Sequence, residues 1–203
     1  EAALRDDTLV VSLMLANNEV GTLQPVSEVA AFCRRSGVAI HTEAAQAVGK
    51  VPVDVNDLDV DLLSVAGHKL YAPEGVGALY VRDGVEIEPL SRGASDERGR
   101  RAGTENVLLA VGLGTACELA QQELVEELDR LGSLRSRLAA GLRAGYEDLV
   151  EHGHPETRQP NTLSVALPGH DANGLVGRSE EHTSELQSLT KLGFRSGGEK
   201  GGG

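Results

Sequence analysis

Apolar and polar positions along most of this chain alternate between the short runs of buried strands and the three-to-four spacing of helices. Leu9 to Leu15, LVVSLML, is an apolar run rich in β-branched residues that stops at Asn17-Asn18, the pattern of a buried strand. Ser27 stands after Pro25 as an expected N-cap, Val29, Ala30, Phe32 and Cys33 recur at helical spacing, and Gly37 can end a helix over about 27–36. Val38 to Thr42, Leu62 to Ala66 and Ala78 to Arg82 are further short strands, the last closed by Asp83-Gly84. From about Val107 to Tyr146 the pattern is helical, with Leu124, Leu128, Leu131, Leu134, Leu138 and Leu142 three or four apart. Gly132 is where this long helix is expected to kink or divide, and the segment is long enough to connect two domains. Thr162 to Leu167 is a final strand. Strands separated by helix-sized crossovers predict an α/β fold with a parallel sheet covered on both faces.

Beyond Gly177 the periodic pattern ends. RSEEHTSELQS, residues 178–188, resembles the translation of a sequencing-library adapter, and the end of the chain is glycine-rich. Residues 178–203 are therefore expected to be a non-native, disordered tail. It holds four acidic and four basic residues, so the net charge of −12 is the same without it. That acidity argues against a general affinity for nucleic-acid phosphates or anionic membranes. With no Trp, three Tyr and two Phe, stacking platforms for single strands are scarce and the core must be aliphatic. No apolar run reaches the eighteen or so residues of a spanning helix. The two cysteines, Cys33 and Cys117, are far apart with no metal-ligand spacing, as expected in a reducing cytoplasm. The chain opens on Glu1 rather than Met, so a native beginning is expected to be missing.

In α/β sheets chemistry gathers at the carboxyl ends of strands. Three such ends carry polar residues here: Asn17-Asn18-Glu19, His41 to Gln46, and Gly67-His68-Lys69. A lysine directly after an apolar strand can be partly desolvated, which favours the free amine that Schiff-base chemistry needs. A carboxylate at a neighbouring strand end, as Glu43 is placed, suits a pyridinium nitrogen. Taken singly, each is more often a solvated surface charge. Other motifs are weaker. Gly49-Lys50 lacks the upstream glycine of a phosphate loop. Gly112-Leu113-Gly114 sits in a helical pattern and suits close packing better than a dinucleotide. His152 and His154 have no further metal-ligand spacing, and residues 123–130 read as a solvated acidic helix face.

Four ordered motifs change that weighting: ANNEVGTLQPV at 16–26, HTEAAQAVGK at 41–50, DLLSVAGHKLYAPEGVGALYVR at 61–82 and ERGRRAGTENV at 97–107. Together, and over Glu1 to about Gly177, they resemble the cysteine desulfurase and selenocysteine lyase group of pyridoxal 5'-phosphate (PLP) enzymes within the class V aminotransferases. The resemblance implies a partial large domain of the aspartate aminotransferase-like fold over 1–106, connecting helices over 107–150 and the start of a small domain over 151–177. It implies Lys69 as the lysine that bonds PLP, His68 as a wall of the cofactor pocket, and Glu43 opposite the ring nitrogen. It places Gln46 at the ring hydroxyl, Asn18 near that hydroxyl and the substrate carboxylate, and Thr104 at the phosphate of a second copy's site, hence a homodimer. The implied reaction converts L-cysteine to L-alanine, passing sulfur to an enzyme cysteine and then to an acceptor protein. Selenocysteine lyase, another class V aminotransferase, and a non-catalytic fragment or sulfur-transfer interaction module are the alternatives.

Two residues depart from the group's pattern: Glu43 where Asp is usual, and Ala66 where a serine often contacts the phosphate. The upstream segment that stacks a histidine on the ring and the downstream loop with the persulfide cysteine have no counterpart in these 203 residues. Cys33 and Cys117 are expected in the core. The chain by itself is accordingly expected to bind PLP weakly or not at all and to release no sulfide from cysteine.

Overall fold

The computed structural model describes residues 4–171, Gly174 and the strand Leu192–Phe194. The chain divides into two units, Glu1–Leu15 with Gln24–Glu123, and Ala16–Leu23 with Leu124–Gly203.

The first unit is built on a four-stranded sheet in the order β1 (Val10–Met14), β2 (Ala39–Glu43), β3 (Leu62–Ala66) and β4 (Gly77–Val81). Helix α1 (Val26–Arg35) joins β1 to β2, which run parallel with Ser12 opposite His41 and Met14 opposite Glu43. β2 and β3 are also parallel, with Glu43 opposite Ser64. β4 departs from the expected all-parallel sheet and runs antiparallel to β3. Ten residues separate Ala66 from Gly77, fewer than a parallel crossover needs. A Cβ at Gly77 would come 2.6 Å from the Val65 carbonyl oxygen, so the return strand closes tightly on β3.

One face of the sheet is covered. Ile40, Thr42 and Leu63 are buried there with Val26, Ala30 and Cys33 of α1. The other face, which carries Val10, Ser12, Met14, His41, Glu43 and Ser64, is open at β1 among the described residues, with Val10 48% exposed. The doubly covered sheet expected from sequence needs a helix on each side, and the 44–61 connection supplies turns instead.

α1 starts one residue earlier than expected. Pro25, not Ser27, holds the cap position, and no side chain caps the helix; the fixed proline φ pre-sets the first turn and leaves one orphan donor fewer. At the other end Gly37 has φ +68, its N–H donates to Arg34 O, and the Val38 N–H donates to Cys33 O. These two bonds are a Schellman closure. Below it, Asp61 Oδ2 accepts the Ile40 N–H at 2.9 Å, Arg34 donates to both oxygens of Asp59 at 2.7 Å, and Arg82 Nε donates to Val60 O at 3.0 Å. These bonds tie α1, β2 and β4 at the edge opposite the strand carboxyl ends.

Helix α2 (Val107–Gly145) runs for 39 residues, and the boundary between units falls inside it. Gly132 does not divide it. The Ser136 hydroxyl donates to Gly132 O at 2.8 Å, so the helix carbonyl there keeps a partner. In the first unit Leu113 and Ala116 pack with Leu70 and Ala72, and a Cβ on Gly112 would lie 2.8 Å from the Pro73 ring. Gly112 therefore serves close packing, as the sequence suggests.

The second unit holds a three-stranded sheet, β5 (Val150–Glu151), β6 (Leu163–Ala166) and β7 (Leu192–Phe194), with β5 antiparallel and β7 parallel to β6. Ala139, Leu163 and Val165 form its core. β7 falls within the tail for which no regular structure was expected; a hydrogen-bonding edge on β6 pairs with any backbone that can extend. Residues 178–191 and 195–203 of that tail lie outside the described residues.

Candidate functional site

β2 and β3 run side by side in the same direction, so their carboxyl ends open on one edge of the first sheet. Glu43 ends β2. Its Oε1 accepts the N–H of Ala45 at 2.5 Å, so the longer side chain turns back onto its own loop. The 44–51 segment then winds through turns, with Val48 N–H donating to Ala44 O and Val51 N–H to Ala47 O, over fully buried Ala44 and Ala47. Gln46 is half-buried in this turn.

β3 ends at Ala66 and passes straight into a single 3-10 turn, Gly67–Lys69. The turn is fixed from several sides. Gly67 N–H donates to Val76 O at 2.9 Å, and the N–H groups of Leu70 and Ala72 both donate to Gly67 O. Tyr71, just beyond, holds φ +61, a conformation rarely taken by a bulky residue. Within this frame Lys69 is half-buried and His68 exposed. The carbonyl of Lys69 accepts from Lys50 Nζ at 2.9 Å. Burial holds the Lys50 ammonium below its ordinary lysine range, and the neighbouring charge of Lys69 adds to the effect.

Behind Glu43 on the same face, His41 bridges three strands. Its Nδ1 lies 2.7 Å from Ser12 Oγ and its Nε2 2.7 Å from Ser64 Oγ, so in the neutral ring one nitrogen donates and the other accepts. Burial lowers its pKa, against an opposing pull from the Glu43 charge.

The segment before α2 is ordered by side-chain caps. Asp96 Oδ2 accepts the Gly103 N–H at 3.0 Å and Asn106 Oδ1 accepts the Leu109 N–H at 3.1 Å. Thr104 lies exposed between them. Asn18 is half-buried in the Ala16–Leu23 loop of the second unit, where Asn17 Oδ1 accepts the N–H groups of Glu19 and Val20, each at 2.9 Å. The first unit thus brings Glu43, Gln46, His68 and Lys69 to one sheet edge by itself. Cys33 is fully buried, and burial, then the charge of Asp61, pushes its thiol pKa up.

Residues 1–184 match the family described as aminotransferase class-V. The chain belongs to this family. Among curated class-V relatives, the cysteine desulfurase of Gluconacetobacter diazotrophicus is 50% identical over 165 residues, which cover 81% of this chain and 41% of that protein. The mouse cysteine desulfurase is 46% identical over 169 residues, covering 82% of this chain and 37% of its own. The chain therefore spans about two fifths of the length of these relatives. Among solved structures, a NifS-like protein superposes with a TM-score of 0.83 at 39% identity, covering 89% of this chain and 50% of the other. DndA from Streptomyces lividans superposes at 0.77 and 36% identity, covering 90% and 52%. The parallel-dominated mixed sheet is that of the PLP-dependent transferase large domain, present in part, and class V aminotransferases use PLP.

The donor set fits that cofactor. An amine, an acidic group and an amide converge on one edge, and Glu43 Oε2 takes no hydrogen bond among the described residues. Ala66 contributes no hydroxyl. Two side chains that the fold puts to use stand out less in the sequence. There Lys50 reads only as part of an incomplete phosphate loop, and His41 only as a member of a strand end. A hydroxyl inside the apolar run of β1, Ser12, is the available signal for the second.

Proposed function

We propose that this chain carries the lysine-bearing part of a PLP-dependent cysteine desulfurase site. The observation that carries the reading is the placement of Lys69 in a glycine-led turn at the end of β3, on the same sheet edge as Glu43 at the end of β2. The cysteine desulfurase names of relatives 46 to 50% identical support the reaction class. So does a 32% identical neighbour with a TM-score of 0.67, titled as SspA in complex with cysteine. The net change is L-cysteine plus a protein thiol giving L-alanine plus a protein persulfide, in which atoms and electrons balance.

When bound, PLP supplies an electron sink for the carbon from which the amino-acid proton is removed. Lys69 Nζ would hold the cofactor and, as a free amine, would take and return a proton at the substrate Cα. The Glu43 carboxylate would hold a proton on the ring nitrogen. Gln46 would donate to the ring hydroxyl and His68 would wall the pocket. Thr104, exposed before α2, would hold the phosphate of a second copy's site, so the unit of function would be a homodimer with an acceptor protein for the sulfur, in the cytoplasm. Cys33 is not the sulfur-receiving thiol, because a buried thiol with a raised pKa supplies little thiolate.

Reductive trapping tests the assignment of Lys69. The chain has only four lysines, Lys50, Lys69, Lys191 and Lys200. Incubation with excess PLP, borohydride reduction and peptide mapping should place the label on Lys69 ahead of the other three. The excess of PLP offsets the weak binding expected of the chain by itself, so even labelling of all four, or preference for another, refutes the assignment.

A further inference from the structure

Lys50 lies outside the PLP-binding set above, yet its ammonium is half-buried and donates to the main-chain carbonyl of the proposed cofactor lysine at 2.9 Å. Among the described residues no carboxylate pairs with it. A desolvated cation without a counter-ion is unfavourable and is tolerated where it does something that packing cannot. The backbone is shaped to bring it there. Lys50 N–H donates to Ala47 O at 2.9 Å, closing the turn that aims the side chain. Gly49 holds φ +74, and a Cβ on it would fall 2.5 Å from Leu70 Cδ2, so only glycine lets the turn lie against the residue that follows Lys69.

We propose that Lys50 is a positioning residue for Lys69: its ammonium fixes the Lys69 carbonyl, so that the 3-10 turn presents the Lys69 amine in one orientation beside a like charge. The lysine carbonyl closing a one-turn helix has no partner inside that turn, and the Lys50 bond supplies one. With the carbonyl held, the side chain starts from a fixed Cα direction, and its amine meets the cofactor aldehyde without a search over turn conformations. The Lys50 ammonium is disfavoured first by burial and then by the charge of Lys69. The inference rests on the reading of Lys69 as the cofactor lysine and adds the residue that orients it.

The test is the rate of reductive PLP labelling at Lys69 in the 203-residue chain, with Lys191 and Lys200 as internal references. Lys69 Nζ attacks the aldehyde carbon with loss of one water, and borohydride then delivers hydride to the product. Lys50→Met, which removes donor and charge at similar length, should slow labelling at Lys69 about tenfold and leave the reference lysines unchanged. Lys50→Arg, which keeps both, should restore most of the rate. Lys50→Gln retains a donor without the charge and should fall between them. Wild-type labelling rates at Lys69 in Lys50→Met would overturn the inference. So would loss of the folded far-ultraviolet spectrum in both Lys50→Met and Lys50→Gln, which would make Lys50 structural. Failure of the parent chain to favour Lys69 over Lys191 and Lys200 would instead overturn the reading of Lys69 itself.

Discussion

Gly67 is the hinge on which the placement of Lys69 depends, and Gly67→Ala tests it. A Cβ there would stand 2.6 Å from Val76 O, 2.9 Å from Val76 Cγ1 and 3.3 Å from Ala72 Cβ. The nearest obstacle is backbone, so relief to even 3.0 Å requires the two chain segments to part by about 0.4 Å. The same oxygen accepts the Gly67 N–H at 2.9 Å, and the movement weakens that bond as well. Overpacking costs about 1–3 kcal/mol and the weakened hydrogen bond about 1 kcal/mol more, offset by up to about 1 kcal/mol from the stiffer unfolded chain. The net loss is about 1–4 kcal/mol, a fall in Tm of roughly 3–12 °C for a chain of this size. Gly114→Ala is the matched control. Its Cβ meets nothing within 4 Å on an exposed helical position, so it should gain up to about 1 kcal/mol and melt a few degrees higher. Thermal melts followed by far-ultraviolet circular dichroism read both. A Gly67→Ala chain that melts within about 1 °C of the parent would refute the close-approach argument.

Three further outcomes follow from other parts of the molecule. Asp61→Ala orphans the buried Ile40 N–H and leaves Arg34 and Arg82 less compensated, for a loss of about 2–3 kcal/mol in a chemical-denaturation curve; Asp61→Asn, which keeps the acceptor, should lose clearly less, and equal losses would show that the backbone bond is not what matters. The lowered pKa of His41 means that the unfolded chain binds a proton there before the folded one does. Its contribution is complete above about pH 6.5 and is lost as pH falls below that value, so the drop in Tm between about pH 7.5 and 5.5 should be smaller in His41→Gln than in the parent; an unchanged drop contradicts it. Native-state thiol titration should modify half-buried Cys117 first and reach Cys33 only on unfolding, and equal rates would mean that α1 does not seal Cys33.

The strands and helices were legible because their apolar runs are short and cleanly bounded. β1, β2, β3 and α2 lie within two residues of the positions expected from period alone. The direction of β4 was less visible. Its own pattern is the same in either sense, and only the ten-residue connection before it carried the information. Ser27 lost the cap position to Pro25 because a proline fixes its backbone without any side-chain bond. Gly132 did not divide α2, because a single helical glycine weakens a helix by only about 1 kcal/mol, which the packing of its neighbours exceeds. At the site, Glu43 and Gly67–Lys69 were legible as strand ends. Lys50 was not, because its partner is a main-chain carbonyl and such a bond leaves no mark in the spacing of side chains. The Ser12–His41–Ser64 bridge depends on the register of three strands, which no single segment encodes.

Alanine formation from L-cysteine tests the proposed function most directly. The matched segment of the Gluconacetobacter diazotrophicus cysteine desulfurase, 50% identical to this chain, can be replaced by the corresponding residues of this chain, so that the rest of that protein completes the fold. With PLP present, the chimera should release alanine and, under reducing conditions, sulfide, and Lys69→Ala should abolish both. A chimera that folds, binds PLP and forms no alanine would contradict the account, as would one whose turnover survives the loss of Lys69.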